Sequence, residues 1–197
     1  MKVSKGVRIT LLVALLLIVD QVVKILVKTH MQIGQSIPVF GDWFQILFIE
    51  NNGMAFGLQL GEGWGKLVLS LCRLVLIVLI IIYLRKLLKR PETPTGVLVG
   101  LAAILCGAIG NLIDSMFYGI IFDYAPFMYG KVVDMLYFPI IDTTLPASFP
   151  IWGGRHIVFF RPIFNVADSC ITCGAFYLLL FQWKFFAKSE KEKEEAE

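Results

Sequence analysis

Residues 96–118 read GVLVGLAAILCGAIGNLIDSMFY and contain one charged side chain, Asp114. The run is long enough for a helix that crosses the ~30 Å hydrocarbon core of a bilayer, which takes about 20 residues. Glycines recur along it at positions 96, 100, 107 and 110. Small residues let helices approach closely in a membrane, where packing drives their association. The stretch therefore predicts a transmembrane helix packed closely against its neighbours.

Three further apolar runs of similar length lie at 9–27, 67–84 and 163–186. Hydrophobic residues make up 57% of the 197-residue chain, charged residues 17%, and the mean hydropathy is +0.76, which exceeds what a soluble fold requires. We therefore predict an all-α membrane protein with four transmembrane helices, forming one domain over 1–197. The net charge of +3 is not gathered into a basic stripe, so no nucleic-acid partner is expected.

Basic residues are concentrated before the first run, between the second and third runs, and after the fourth. The positive-inside rule then places both termini, the loop 85–95 and the tail 187–197 in the cytoplasm. The first run begins like a signal peptide but lacks a small-residue cleavage site, so we interpret it as uncleaved.

The loops 28–66 and 119–161 are expected outside the membrane, and both are long for mere connectors. The first contains the β-prone run FQILFIE at 44–50 followed by the turn signal NNG, which predicts a small strand-rich platform. The second is rich in aromatic residues, proline and glycine, and is expected to be ordered but irregular.

Ionisable groups are costly in spanning helices, so each needs a partner or a function. Asp20 and Lys24 are four residues apart near the outer end of the first helix, which allows an ion pair; a structural pair and a substrate-facing role both remain open. Asn111 and Asp114 are three apart near the outer end of the third helix. Hydrogen bonding between helices explains the amide of such a pair better than its acid.

Asn165 and Asp168 repeat this spacing at the start of the fourth helix. Asp134 follows Val132 and Val133, apolar neighbours that are unusual for a solvated loop aspartate. We predict that Asp134 and Asp168 meet at the mouth of the bundle. Two close carboxylates in a low dielectric share a proton, so one can act as base and the other as acid in peptide hydrolysis.

Other chemistries fit the residues less well. The only histidines, His30 and His156, lie in no metal-ligand motif, no HExxH or GxSxG occurs, and no metal or other cofactor is expected. The four cysteines lie in apolar stretches and are interpreted as packing residues. Arg73 in the second helix could pair with a facing acid or a lipid phosphate, or snorkel to the surface, and is left outside the site. A proton-coupled transporter is the rival class, disfavoured by the absence of an inverted repeat and by acids at one surface.

Five motifs in this order resemble the lipoprotein signal peptidases, also called signal peptidase II. They are DQxxK at 20–24, NGMAFG at 52–57, GNLID at 110–114, VVD at 132–134 and FNVADS at 164–169. The resemblance implies an aspartic peptidase of the bacterial inner membrane that cleaves diacylglyceryl-modified prolipoproteins just before the lipidated cysteine. It also implies a β-cradle over the membrane near residues 44–57, contact with membrane lipids, and inhibition by globomycin-type peptides.

By the same resemblance, Asp134 and Asp168 match the catalytic pair. Three asparagines match the other polar site positions, namely Asn52, Asn111 and Asn165. Motif positions with a possible structural role are Asp20, Lys24 and Asp114.

Two features depart from the family pattern. Ser115 stands where many members have arginine, which leaves the partner of Asp114 open. The stretch 137–160 is longer than in shorter members, and we hypothesise that it acts as a lid or docking surface.

Overall fold

The computed structural model describes residues 4–52 and 64–187. Within these residues, three helices are long and apolar enough to cross a membrane, at Lys5–His30, Trp64–Leu88 and Thr95–Ile121. They contain the predicted runs 9–27, 67–84 and 96–118 and extend beyond them. Most of the NGMAFG motif, from 53 to 57, and the tail from 188 lie outside the described residues.

The third long helix changes its winding near its outer end. Regular α3 covers Thr95–Ile113, a π-helical turn covers Asp114–Tyr118, and α4 covers Gly119–Ile121. Inserted π turns are frequent at functional sites. The helix winding changes at Asp114, the one charged residue of the run 96–118, whose burial in a membrane costs free energy.

The fourth predicted helix is shorter than expected. Helix α5 spans Val166–Phe181, 16 residues, because Ile163–Phe164 pairs in a sheet instead of starting the helix. Helical residues resume at 183–187 after a bend at Gln182.

The bundle is built around α3. This helix packs against α1 (Lys5–His30), α2 (Trp64–Leu88) and α5, and its buried side chains form the core with residues such as Ile77, Leu84 and Leu178. Much of the outward surface of α1 and α2 is apolar and exposed, as expected for helices that face lipid.

A four-stranded antiparallel sheet covers the outer end of the bundle, in the order β1-β2-β3-β6. The strands are Ser36–Phe40, Phe44–Asn51, Val132–Tyr137 and Ile163–Phe164. The platform predicted at 44–50 is present as β2 and its neighbours. The second outer loop, expected to be irregular, instead contains strand Val132–Tyr137 and the hairpin strands Ile141–Thr144 and His156–Phe159. The fold is thus helical with small antiparallel sheets, so the expected β-cradle is accompanied by more strands than an all-α class implies.

The long stretch 137–160 contains a second sheet. Strands β4 (Ile141–Thr144) and β5 (His156–Phe159) pair as a hairpin, with Ile141 opposite Phe159. Stacked rings of Phe44, Phe138 and Phe164 line the sheet where the hairpin leaves it. The lid or docking role stays a hypothesis.

Gly107 sets the distance between α3 and α5. A Cβ at this position would overlap the backbone oxygen of Ala167 and approach the Ile171 side chain at 2.6 Å. Backbone cannot move aside as a flexible side chain can, so the close contact depends on glycine.

We predict that Gly107→Ala lowers the free energy of unfolding by about 1–3 kcal/mol through overpacking. Gly6→Ala is the matched control, because its Cβ would meet nothing nearer than 3.9 Å. The measurement is thermal unfolding in detergent, and equal midpoints for the two variants would contradict the prediction.

Candidate active site

The start of α5 fixes the position of Asp168. The side chain of Asn165 caps the helix by accepting from the Asp168 backbone N–H at 2.8 Å, and Asp168 Oδ2 accepts from the Asn165 backbone N–H at 3.3 Å. This reciprocal capping box satisfies two otherwise unpaired N–H groups. The partial positive charge of the helix N-terminus also stabilises negative charge on a first-turn carboxylate.

Two asparagine amides connect the aspartates. Asn165 Nδ2 donates to Asp134 Oδ1 at 2.7 Å and to Asn111 Oδ1 at 3.1 Å. Asn111 Nδ2 in turn donates to Asp168 Oδ1 at 2.7 Å. The structure thus brings together Asp134, Asp168, Asn111 and Asn165, as the sequence predicted. Each carboxylate receives a strong amide hydrogen bond.

Strand β3 carries Asp134 into the site, where it is 3% exposed. Burial first, and then the neighbouring Asp168 carboxylate, raise the pKa of Asp134 to about 7, although hydrogen bonds from Asn51 and Asn165 oppose the shift. At neutral pH this carboxyl is therefore able to carry a proton, unlike an ordinary solvated aspartate.

Asn51, which the sequence analysis passed over, donates from Nδ2 to Asp134 Oδ2 at 3.1 Å. Asn52, which the resemblance pointed to, is exposed. Strand register explains the difference: Ile49 pairs with Asp134, and Asn51 lies two residues further on the same face of the sheet. The alternation of β2 could have indicated Asn51 if the pairing partner had been known.

A buried ion cluster lies beneath the aspartates. Lys24 Nζ binds Asp20 Oδ2 at 2.9 Å, Asp114 Oδ2 at 2.8 Å and Asn111 Oδ1 at 3.0 Å, and the three charged side chains are fully buried. Gln21 Nε2 also donates to both acids. Asp20 and Lys24 therefore form the ion pair that their spacing allows, and Lys24 is also the partner of Asp114.

Asp20 and Asp114 also hold the elements that carry Asp134 and Asp168, the pair that we call the dyad. Asp20 Oδ1 accepts from the Ala167 N–H at the start of α5, at 2.8 Å, and Asp114 Oδ2 accepts from the Val133 N–H of β3, at 3.4 Å. Through them, α1 and α3 position both catalytic candidates.

At the sheet, Glu50 bridges Lys28 and Lys131 beside Asn51. Burial raises the pKa of Glu50, but the hydrogen bonds and positive charges of the two lysines together outweigh burial, so the pKa is lowered. The ion pairs fasten the end of β2 to the outer end of α1.

Arg73 belongs near the site, contrary to the sequence analysis. Its Nη1 donates to Ser115 Oγ at 3.3 Å, and its guanidinium lies within electrostatic range of Asp168, Asp114 and Asp134. The sequence left open whether Arg73 faces an acid, a lipid phosphate or the membrane surface, because the apolar run around it does not indicate which side of α2 is buried.

Comparisons with known proteins agree with this geometry. The family model described as Signal peptidase (SPase) II matches residues 12–184. The chain belongs to the signal peptidase II family. It is 46% identical over 194 residues to a lipoprotein signal peptidase of Porphyromonas gingivalis, covering 91% of this chain and 84% of that one. A lipoprotein signal peptidase of Amoebophilus asiaticus is 38% identical over 174 residues, covering 84% and 73%.

A solved structure described as a bacterial membrane enzyme superposes with a TM-score of 0.63 at 25% identity, covering 92% of this chain and 90% of that one. The chain is thus a peptidase of a signal peptidase II family and a multi-pass bacterial membrane protein, and the transporter reading is set aside. Within 4–52 and 64–187, no group of three or more His, Cys, Asp or Glu side chains is arranged to hold a metal ion.

We predict that Lys24→Met lowers the free energy of unfolding by about 3–5 kcal/mol, because two buried carboxylates lose their counter-charge. Thermal unfolding in detergent measures the effect. Lys86→Met, which removes an exposed lysine of α2, is the matched control and should be near neutral. Similar midpoints for both variants would show that the buried cluster does not support the fold.

Proposed function

We propose that the chain is an aspartic endopeptidase that removes the signal peptide from diacylglyceryl-modified prolipoproteins, cleaving just before the lipidated cysteine. The observation that carries the proposal is the joining of Asp134 and Asp168 by the amides of Asn111 and Asn165. Membership of the signal peptidase II family supports it.

In this proposal Asp168 is the base. It accepts an amide hydrogen bond and lies at a helix N-terminus, so negative charge on it is stabilised. Its carboxylate takes a proton from the water that attacks the scissile carbonyl carbon. The bond from water oxygen to carbon forms as the carbonyl π electrons move to oxygen.

Asp134 is the acid, since its pKa near 7 lets it carry a proton at neutral pH. It hydrogen-bonds the carbonyl oxygen during attack. As the C–N bond breaks, the oxyanion re-forms the carbonyl and Asp134 gives its proton to the leaving amine. Asp168 keeps the proton that it took from water, so the pair again shares a single proton. Asn51 and Asn165 hold Asp134 in place for both steps.

The membrane arrangement follows from the same proposal. Four crossings, with α5 and the helical residues 183–187 as the fourth, put both termini in the cytoplasm and the dyad at the outer face of the bacterial inner membrane. A lipid-anchored substrate then meets the site at the depth of its own scissile bond. The apolar outer surface of the helices contacts membrane lipids and the acyl chains, and globomycin-type peptides are expected to compete for the site.

We predict that Asp134→Asn and Asp168→Asn each lower kcat on a diacylated prolipoprotein by about 10³-fold or more, since each removes one proton-transfer step. Cleavage is followed by gel shift with purified protein in detergent. Glu92→Gln is the control, because Glu92 is an exposed acid in the turn between α2 and α3, away from both aspartates. Cleavage at the wild-type rate by either dyad variant would refute the assignment.

The pKa of Asp134 predicts the pH dependence. With Asp134 as the acid, kcat/KM should fall above about pH 7, roughly tenfold for each further unit. Asn51→Leu removes a hydrogen bond that stabilises the charged carboxylate, so the pKa of Asp134 rises and the alkaline limb moves to higher pH. A limb that stays in place, or moves to lower pH, would assign the acid elsewhere.

A further inference from the structure

The side of α2 that faces the bundle is apolar in its inner half and polar in its outer half. In its inner half this face buries Ile77, Ile80, Leu84 and Leu87 against the core around α3. Continuing outward at helical spacing, the same face carries polar side chains, namely Lys66, Ser70 and Arg73. We call these three residues the α2 polar face.

Two members of the α2 polar face have a buried polar atom without a hydrogen-bond partner among the described residues. Ser70 is 1% exposed, and neither its Oγ nor Lys66 Nζ has a hydrogen-bond partner within the part of the chain that the structure describes. Leaving a buried hydroxyl or ammonium unsatisfied costs more free energy than a typical hydrogen bond contributes. Such groups are rare unless another molecule satisfies them.

The third member links this face to the dyad. Arg73 donates to Ser115 Oγ, which itself donates to the Asn111 backbone oxygen at 3.0 Å. Asp168 and Asp134 both lie within electrostatic range of the guanidinium. The donors of α2 and the acids of α5 and β3 therefore border the same outer end of α3.

We propose that the α2 polar face binds main-chain carbonyl oxygens of the substrate peptide around the scissile bond. This inference rests on the proposed function. Ammonium, guanidinium and hydroxyl groups all donate hydrogen bonds, and carbonyl oxygens are the acceptors that an incoming peptide brings. From position 66 to 73 an α-helix rises about 10 Å, which matches about three residues of an extended peptide.

A phospholipid phosphate fits this face less well. The opposite side of α2, lined by Leu71, Cys72, Val75 and Leu79, is apolar and open, and is the side available to bulk lipid. The polar face instead turns toward α3 and the acids. A peptide carbonyl also satisfies the donors without adding a net negative charge beside two carboxylates.

The test uses purified full-length protein in nanodiscs and a diacylated lipopeptide with a fluorescent reporter. Ser70→Ala and Lys66→Met should each raise KM about tenfold with kcat within about twofold, because they remove binding common to ground and transition states. Arg73→Met should lower kcat/KM about 100-fold, with partial rescue in Arg73→Lys. Arg85→Met removes an exposed arginine from the other end of α2 and should match wild type.

Thermal unfolding separates binding from folding. Ser70→Ala removes a hydroxyl that has no partner among the described residues, so its unfolding midpoint should equal or exceed that of wild type while KM rises. A purely structural Ser70 would not give this split. Wild-type KM in both Ser70→Ala and Lys66→Met would overturn the proposal.

Two further arms distinguish the alternatives. If the KM effects disappear when phosphatidylcholine replaces phosphatidylglycerol in the nanodiscs, the face binds an anionic headgroup and the proposal is wrong.

Binding of the lipopeptide to Asp168→Asn protein, with and without Ser70→Ala, tests the α2 polar face without cleavage. Tenfold weaker binding supports it and equal binding overturns it, whereas absence of cleavage by wild type counts against the proposed function alone.

Discussion

Lys24 brings a positive charge into the bundle between α1 and α3, with no exposure to solvent. A buried ammonium is tolerated only when its three donors find acceptors, and here they find Asp20, Asp114 and Asn111. Each acceptor reaches another part of the site: Asp20 holds the start of α5, Asp114 holds β3, and Asn111 contacts Asp168. The geometry of the dyad therefore depends on this one cation.

The side-chain amides of Asn111 and Asn165 orient the two carboxylates relative to Lys24 and its acids. An asparagine side chain has one acceptor oxygen and one donor nitrogen, so fixing either end fixes the other. Lys24 and Asn165 both donate to the oxygen of Asn111, which leaves its nitrogen for Asp168. Asn165 in turn gives its two protons to Asn111 and Asp134. The buried charges around Lys24 are thus connected to both carboxylates through neutral amides, and Asp134 lies in a desolvated setting.

Around the outer end of α3, acidic groups and hydrogen-bond donors lie on different sides. Acids lie on the side of α5 and β3, and donors lie along the polar face of α2. In a bilayer such groups need protein partners because water is scarce. The acids have theirs in the asparagines and Lys24, whereas Lys66 Nζ and Ser70 Oγ of α2 have no hydrogen-bond partner in the described chain. The carboxylates are thus already held by hydrogen bonds, whereas two donors of α2 can still bind another molecule. This arrangement suits an enzyme that acts on a substrate within the membrane plane.

The sequence by itself located the three long helices and singled out charged residues that the structure brings close together. Apolar runs of membrane length locate α1, α2 and α3, since hydropathy and length are local properties, and the cost of buried charge singles out Asp20, Lys24, Asp114 and Asp168. Only the tertiary structure decided the rest. In the structure Asn51, and not Asn52, contacts Asp134, because the register of β2 is set by its pairing with β3, which lies 83 residues further along the chain at this contact. The tertiary structure turned the start of the predicted fourth helix into β6, because pairing with β3 outweighed the apolar run. It also brought Arg73 to the dyad, because the helix that a buried face meets is fixed by packing, which local sequence does not encode.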